Sequence, residues 1–374
     1  MAQSKKWDII IIGGGLAGLT CALHLATRNC KVLLIEKYTY PHHKVCGEYV
    51  SNEVLPYLKS LGVDPFGAGA KIISKFEIST KTGKLITTTL PLGGFGISRF
   101  AFDNQLYEAV KAAAEVLFDT VASVDFSNEL FTITTQGNLK FKANYVIGAF
   151  GKRSGLDGFL KRKFIQQKSP WLAVKAHYDY NFPEDTVALH NFEGGYCGLS
   201  KTETNAVNAC YLTTYKSFKH ANSITDFQKK TLSKNPYLQH FFEEAIPLFE
   251  KPLTISQISF QKKKPVEDHI FMIGDAAGLI HPLCGNGMAM AIHSAKLFSE
   301  LYLDASAKGI INRAQLENTY TQLWQKTFAK RLSTGRKIQQ LLLHPTLSTI
   351  GFNVAKTFPG IVPKLIQKTH GNPL

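Results

Sequence analysis

The run from Asp8 to Leu19 joins an apolar strand, Ile9-Ile10-Ile11-Ile12, directly to the turn Gly13-Gly14-Gly15-Leu16-Ala17-Gly18 and then to a helix. This Gly-x-Gly-x-x-Gly order is restrictive because each glycine answers a different steric demand. Gly13 permits the tight turn off the strand, Gly15 lets a pyrophosphate approach the backbone, and Gly18 lets the helix pack on the sheet. Leu19, Ala22, Leu23, Leu25 and Ala26 continue at helical spacing, and Lys31 to Glu36 reads as a second strand closed by a carboxylate suited to a ribose hydroxyl. The segment is expected to bind a dinucleotide, with the phosphates on helix-terminal amides and with Ala17 and Lys37 as flanking contacts.

The 374 residues leave room for two domains, or for one with a large insertion. Met1 to Ile12 places lysines before an apolar stretch, but Asp8 and three glycines interrupt it, so no secretory leader is expected. No apolar run is long enough to span a bilayer. The six cysteines are scattered without a Cys-x-x-Cys pair, so neither a metal centre nor a disulfide scaffold is expected, and a cytoplasmic setting is the simplest reading. The net charge of +15 is concentrated toward the C-terminus, where the cations from Arg313 to Lys368 face only Glu317. No stacking aromatics or binding module accompany them, which argues against nucleic acid. Two readings stay open: a solvated basic face, or one that meets anionic lipid or an acidic partner.

Farther along, alternation at 75–79 and 85–89 reads as a hairpin, and a helix is expected over 102–116. Strands are expected at 120–124, 130–134, 140–142 and 145–149, then as an antiparallel set at 171–178, 186–190, 196–199 and 207–212. Helices follow over 226–232 and 237–244, and everything beyond Gly287 reads as helical. A second signal lies at 269–289. The strand His269 to Ile273 ends in Gly274-Asp275, and Gly285-Asn286-Gly287-Met288 leads into an alanine-rich helix. Asp275 at a strand end suits a ribityl hydroxyl, and the following helix N-terminus suits the negative charge of a reduced flavin's pyrimidine ring. These are the needs of FAD rather than of NAD.

On these motifs the chain resembles the FAD-dependent oxidoreductases built like p-hydroxybenzoate hydroxylase, and within them the geranylgeranyl reductase branch. The likeness rests on Gly13-x-Gly15-x-x-Gly18 with Glu36, on Arg99-x-x-x-Asp103, and on Gly274 to Gly278 with Gly285-Asn286-Gly287. Lys44-Val45-Cys46-Gly47-Glu48 resembles the Lys-x-Cys-Gly loop of the reductase branch, in which the cysteine lies close to the isoalloxazine. The resemblance implies that Arg99 contacts the ribityl or pyrophosphate region, that Val121 meets the adenine through its backbone, and that Asp275 meets the ribityl chain. It also implies an α/β fold of mixed α+β character. A Rossmann-like FAD-binding domain (1–70, 100–168 and 262–308) would carry an inserted antiparallel-sheet substrate domain (71–99 and 169–261), followed by C-terminal helices (309–374).

The chain departs from its relatives at several positions. Aromatic hydroxylases usually carry a histidine after the Gly-Asp-Ala-Ala run, where this chain has Gly278. The reductase branch often has a Tyr-x-Trp-x-Phe-Pro stretch, of which only Tyr196 is present, and Phe150 replaces an acid. The halogenase Trp-x-Trp motif is missing. No second dinucleotide motif exists, so electrons are expected from transiently bound NAD(P)H or from a partner reductant. Many aromatics in the middle insertion suit a hydrophobic substrate such as a polyprenyl lipid, polyene or aryl polyketide. The expected activity is a geranylgeranyl reductase-like double-bond reduction with Cys46 as catalytic candidate. The alternatives are a FAD-dependent monooxygenase and, more remotely, a lipid carrier of the escort type. A basic, apolar C-terminal tail suggests peripheral membrane contact.

Overall fold

The computed structural model describes residues 6–309 and 311–374; the first five residues, part of the stretch weighed as a leader, lie outside it. Strands Lys6–Ile12 and Val32–Glu36 are buried almost throughout, so both faces need cover, and they become central strands of a parallel sheet. Its parallel core runs in the order Ile270–Met272, Lys140–Gly148, Lys6–Ile12, Val32–Glu36, Glu115–Phe118. Ile10 lies opposite both Leu33 and Val146, all three fully buried. Each such side chain contributes about 1.5–3 kcal/mol of burial. An antiparallel meander, Val121–Ser127 and Leu130–Thr135, joins through the first half of Lys140–Gly148. The two strands expected at 140–142 and 145–149 are thus one.

The helix expected over 102–116 runs instead from Arg99 to Ala113. Ser98 starts it early by accepting a hydrogen bond from the Ala101 amide. Ala114 then leaves helical geometry, so that Val116 and Leu117 pair beside Leu34 and Ile35 as an unexpected strand.

The second sheet has nine strands. In order they are Ile246–Pro247, Trp171–Asp179, Val207–Thr214, Gly195–Lys201, Thr186–Phe192, Lys71–Ser79, Leu85–Gly96 and Tyr49–Ser51, with Leu253–Ser256 also on Trp171–Asp179. The two insertions meet through one parallel pairing, Thr186–Phe192 with Lys71–Ser79. The pleat sorts the side chains by period two. Leu172, Val174, Ala176 and Tyr178 pack with Phe227 and Phe241 of the helices Ile224–Lys230 and Pro236–Glu244. Trp171, Ala173, Lys175 and His177 therefore point to the other face, toward the first sheet.

Helices Gly287–Ala307, Arg313–Leu343, Pro345–Thr357 and Ile361–Thr369 complete the chain. In the long one, Leu316, Tyr320, Trp324, Phe328 and Leu332 form a buried stripe at four-residue spacing, and the Tyr320 hydroxyl donates to the Met272 carbonyl at 2.8 Å. Among the described residues no helix is long and apolar enough to cross a membrane.

Candidate active site

The first strand delivers the chain to Gly13 at φ +107°, where a Cβ would lie 2.5 Å from the Ala149 carbonyl oxygen. A Cβ on Gly18 would lie 1.9 Å from the Gly13 carbonyl oxygen, so helix and turn are in direct contact. Gly15 differs. It begins helix Leu16–Ala26 without a side-chain cap, and a Cβ there would meet only Arg99 Nη2, at 3.6 Å. The helix N-terminus is open on the side that a guanidinium faces, as a pyrophosphate requires. Glu36 accepts hydrogen bonds from the Gly14 amide (2.5 Å) and the Tyr38 amide (3.1 Å), and the Tyr40 hydroxyl donates to the Gly14 carbonyl. These contacts fix the turn from behind.

Arg99 and Asp103 lie one turn apart on their helix and form a bidentate pair at 2.6 and 2.7 Å, while Lys44 Nζ reaches the same carboxylate at 2.8 Å. Burial pushes the Asp103 carboxyl upward, but Arg99 and Lys44 outweigh it and hold the group below its ordinary value. Cys46 and Arg99 line the same cavity.

The loop from Lys44 to Glu48 is clasped at every residue. Lys175 Nζ donates to the Lys44 carbonyl, Lys152 Nζ to Val45, Asn208 Nδ2 to Cys46 and Ser200 Oγ to Gly47. Glu48 takes the left-handed φ of +54°, and its fully buried carboxylate pairs with Lys175 and, at 2.7 Å, with His177 Nε2. It also accepts from the Arg99 amide at 2.7 Å. Burial raises the Glu48 carboxyl, and Lys175 and His177 reverse that to a net depression. Strand register explains the clasp: His177 lies opposite Asn208, which lies opposite Ser200, so three strands present one polar row to the loop. The parallel row Ala173, Leu212, Tyr196 is apolar and faces the cavity. His43, Glu48 and His177 bring their ligand atoms within 4.8 Å of one another, the geometry of a cation site, but the Lys175 ammonium already meets that carboxylate. Burial, then Lys175 and His177, pushes His43 down to about 4.

At the other motif, Gly274 (φ +59°) packs so closely that a Cβ would lie 2.9 Å from Ala17 Cβ. Lys263 Nζ donates to the Asp275 carbonyl at 2.8 Å and Arg162 Nη2 to the Ala276 carbonyl at 2.9 Å. Burial lowers Lys263 to about 8 against the pull of Asp157 and Asp275. Helix Gly287–Ala307 also starts without a side-chain cap.

One cavity of about 500 Å³ connects these parts. Of the residues expected at the cofactor, Gly15, Ala17, Cys46, Gly47, Arg99, Gly274, Asp275, Gly285, Gly287 and Met288 line it. Gly13, Gly18, Glu36 and Lys44 stand behind that wall and brace it. Lys37 is exposed with its ammonium 4.5 Å from the Tyr38 ring, Val121 opens a meander strand, and Asn286 Nδ2 donates to the Thr369 carbonyl at 2.7 Å. None of these three lines the cavity. Two uncapped helix N-termini, a guanidinium and the Asp275 carboxylate on one wall fit the phosphates, ribityl chain and pyrimidine of FAD. Lys175, Ser200 and Asn208 are signalled in the sequence only by alternation along their strands, and Lys152 and Lys263, which lie in loops, are not signalled at all.

A family model described as FAD binding domain matches residues 6–310. Digeranylgeranylglycerophospholipid reductase of Methanosarcina acetivorans is 26% identical over 356 residues, spanning 90% of this chain and 83% of that protein. The enzyme of the same name from Methanocaldococcus jannaschii is 25% identical, spanning 90% and 86%. In fold, the chain is similar to the flavin-dependent brominase Bmp2 (TM-score 0.79, 16% identity, 98% of this chain and 93% of that one). It is also similar to Pseudomonas aeruginosa PqsL in complex with 2-aminobenzoylacetate (TM-score 0.75, 14% identity, 93% and 100%). With Gly15, Gly274 and Gly287, the ion-paired arginine and the strand-end aspartate lining one cavity, the chain belongs to the FAD binding domain family, and FAD is its cofactor.

Proposed function

We propose that this FAD-dependent oxidoreductase saturates carbon–carbon double bonds of a polyprenyl-type lipid. The observation that carries the reading is the continuity of the cavity. From Arg99 and Asp275 it passes Cys46 and runs on between apolar sheet residues such as Phe76, Ile78 and Leu189 to Phe352 and Ile366 of the C-terminal helices. A long apolar chain would thread it with one double bond beside the Cys46 loop. The reductase names of the curated relatives support the same substrate class. Residues 1–70, 100–168 and 262–308 act as the FAD-binding unit, 71–99 and 169–261 as the substrate-binding unit, and 309–374 as the cover.

When bound and reduced by NAD(P)H or a partner reductant, FAD would supply a hydride, that is two electrons and one of the two added hydrogens. The chain supplies position and a proton. Arg99 and the amides after Gly15 hold the pyrophosphate, Asp275 holds the ribityl hydroxyls, and the helix beginning at Gly287 faces the pyrimidine end. Cys46 is the proton donor, its thiol held at the cavity wall by a loop that has almost no freedom to move. The apolar walls exclude water from the reacting carbons. Glu36 and Val121 serve the adenosine end, and Lys37 and Asn286 act through the turns they flank.

The test is anaerobic incubation of the FAD-loaded protein with NADPH and a geranylgeranyl lipid, followed by mass spectrometry. Two hydrogens gained per double bond supports the reading. No saturation without oxygen, together with a hydroxylated or epoxidised product and stoichiometric oxygen uptake in a parallel aerobic incubation, overturns it in favour of a monooxygenase, and a colourless protein that holds lipid without FAD overturns both. The basic, apolar C-terminal segment supports peripheral contact with a membrane.

A further inference from the structure

We propose that helix Pro345–Thr357 is a docking face that lays the mouth of the cavity on an anionic bilayer, so that substrate enters sideways from the lipid. The inference rests on the lipid-substrate reading and adds where and how the substrate gets in.

Leu343 ends the preceding helix, Leu347, Ile350 and Val354 are spaced three and four residues apart along one face of helix Pro345–Thr357, and Phe358 follows directly after it. A core-facing stripe would be buried, yet these residues are 38, 47, 54, 42 and 61% exposed. The same helix is anchored by its other side, through buried Phe352 and Ala355. Exposed apolar residues are ordinary when single; three in line on an otherwise anchored helix, flanked by Leu343 and Phe358 just beyond its ends, are a surface awaiting a partner.

Charge selects the partner. From Asn318 to Leu374 the sequence carries eight Lys or Arg and no Asp or Glu. Arg331 is paired with Glu53, whereas Lys337, Lys356, Lys364 and Lys368 are exposed. A second copy docking through the stripe would bring two such segments together and meet repulsion. An interface of acyl chains beneath anionic headgroups satisfies both the stripe and the cations.

The cavity supplies the functional link. Leu341, Val354 and Leu365 line it and are also 39, 42 and 38% exposed, so its apolar wall and the apolar surface share residues. A lipid leaving the bilayer there reaches the cavity without crossing water.

The test uses the full-length, FAD-loaded protein with vesicles of phosphatidylcholine alone or with roughly a third phosphatidylglycerol. Wild type is expected to co-sediment with the anionic vesicles and to be released by salt. The variants Leu347→Glu/Ile350→Glu and Lys356→Glu/Lys364→Glu should bind about tenfold more weakly or worse. Flavin absorbance and melting temperature establish that each variant is folded, which surface positions permit. Leu347→Glu/Ile350→Glu should keep its turnover on detergent-dispersed lipid and lose it on vesicle-embedded lipid. Wild-type affinity in the folded variants overturns the proposal, as does a wild-type protein that ignores anionic vesicles, forms a dimer through the stripe or captures an acidic protein instead. Vesicle binding is read without turnover, so absent turnover on dispersed lipid with intact vesicle binding counts against the substrate reading alone.

Discussion

The two ends of the cavity are built on opposite principles. At the cofactor end almost every polar group is fixed: Asp103 holds two cations, Glu48 holds Lys175 and His177, and five consecutive loop residues are each clasped by a side chain from elsewhere. At the far end Phe352, Leu365 and Ile366 present apolar area with few directional contacts, and the last turn is held mainly through Glu53, which accepts from the Gly371 amide and pairs with Arg331. Precise placement of a reacting bond needs the first kind of wall. Admission of a long flexible chain needs the second.

The comparison breaks most readily at Glu48. Glu48→Gln strands a buried ammonium, so a loss of about 3–5 kcal/mol is expected in chemical denaturation, with FAD released at lower denaturant than in wild type. A variant as stable as wild type would mean that the clasp carries little. Next in size, Cys46→Ser should lower kcat about a hundredfold while flavin absorbance and FAD affinity stay unchanged. Undiminished turnover would remove the thiol from proton delivery. At the far end, Phe352→Ala is expected to raise KM about tenfold and to relax selectivity for chain length, with kcat little changed. An equal fall in kcat would show that the far wall also positions the reacting carbons.

The smallest effect is one of pH. Glu48 and Asp103 have folded values below their ordinary ones, so their stabilisation is complete above the unfolded carboxyl range and lost as pH falls through the folded values. Glu53 runs the other way, because burial outweighs Arg331 and raises its carboxyl, so acid favours the protonated folded form. Below about pH 4 the cofactor end should loosen before the tail, which flavin fluorescence and limited proteolysis of the C-terminal helices would report separately. Simultaneous loss would show that the two ends unfold as one unit.

The same contrast governs what the sequence discloses. The glycine turn, Asp275 and the helix at Gly287 are legible because each is a local demand of backbone geometry written into adjacent residues. The strands of the second sheet are legible because burial of one face imposes alternation. The clasp is not, since Glu48 meets Lys175 and His177 at separations of 127 and 129 residues, and only strand register aligns them. The Glu115–Phe118 strand was hidden by a helix that continues its apolar spacing up to Ala113, and only the pairing with Val32–Glu36 separates the two. The apolar pattern of Pro345–Thr357 is visible in sequence, but which side of the helix is covered is a tertiary fact.

Gly278 closes the run Gly274-Asp275-Ala276-Ala277-Gly278. A Cβ there would lie 2.8 Å from the Trp324 ring and 3.2 Å from Leu332, both on the long C-terminal helix. A side chain at 278 therefore requires the Trp324 ring or the helix that carries it to shift. The seating of the long C-terminal helix thus depends on the missing side chain at 278, so Gly278→Ala should lower the melting temperature, and shortening Trp324 in the same protein should restore part of the loss.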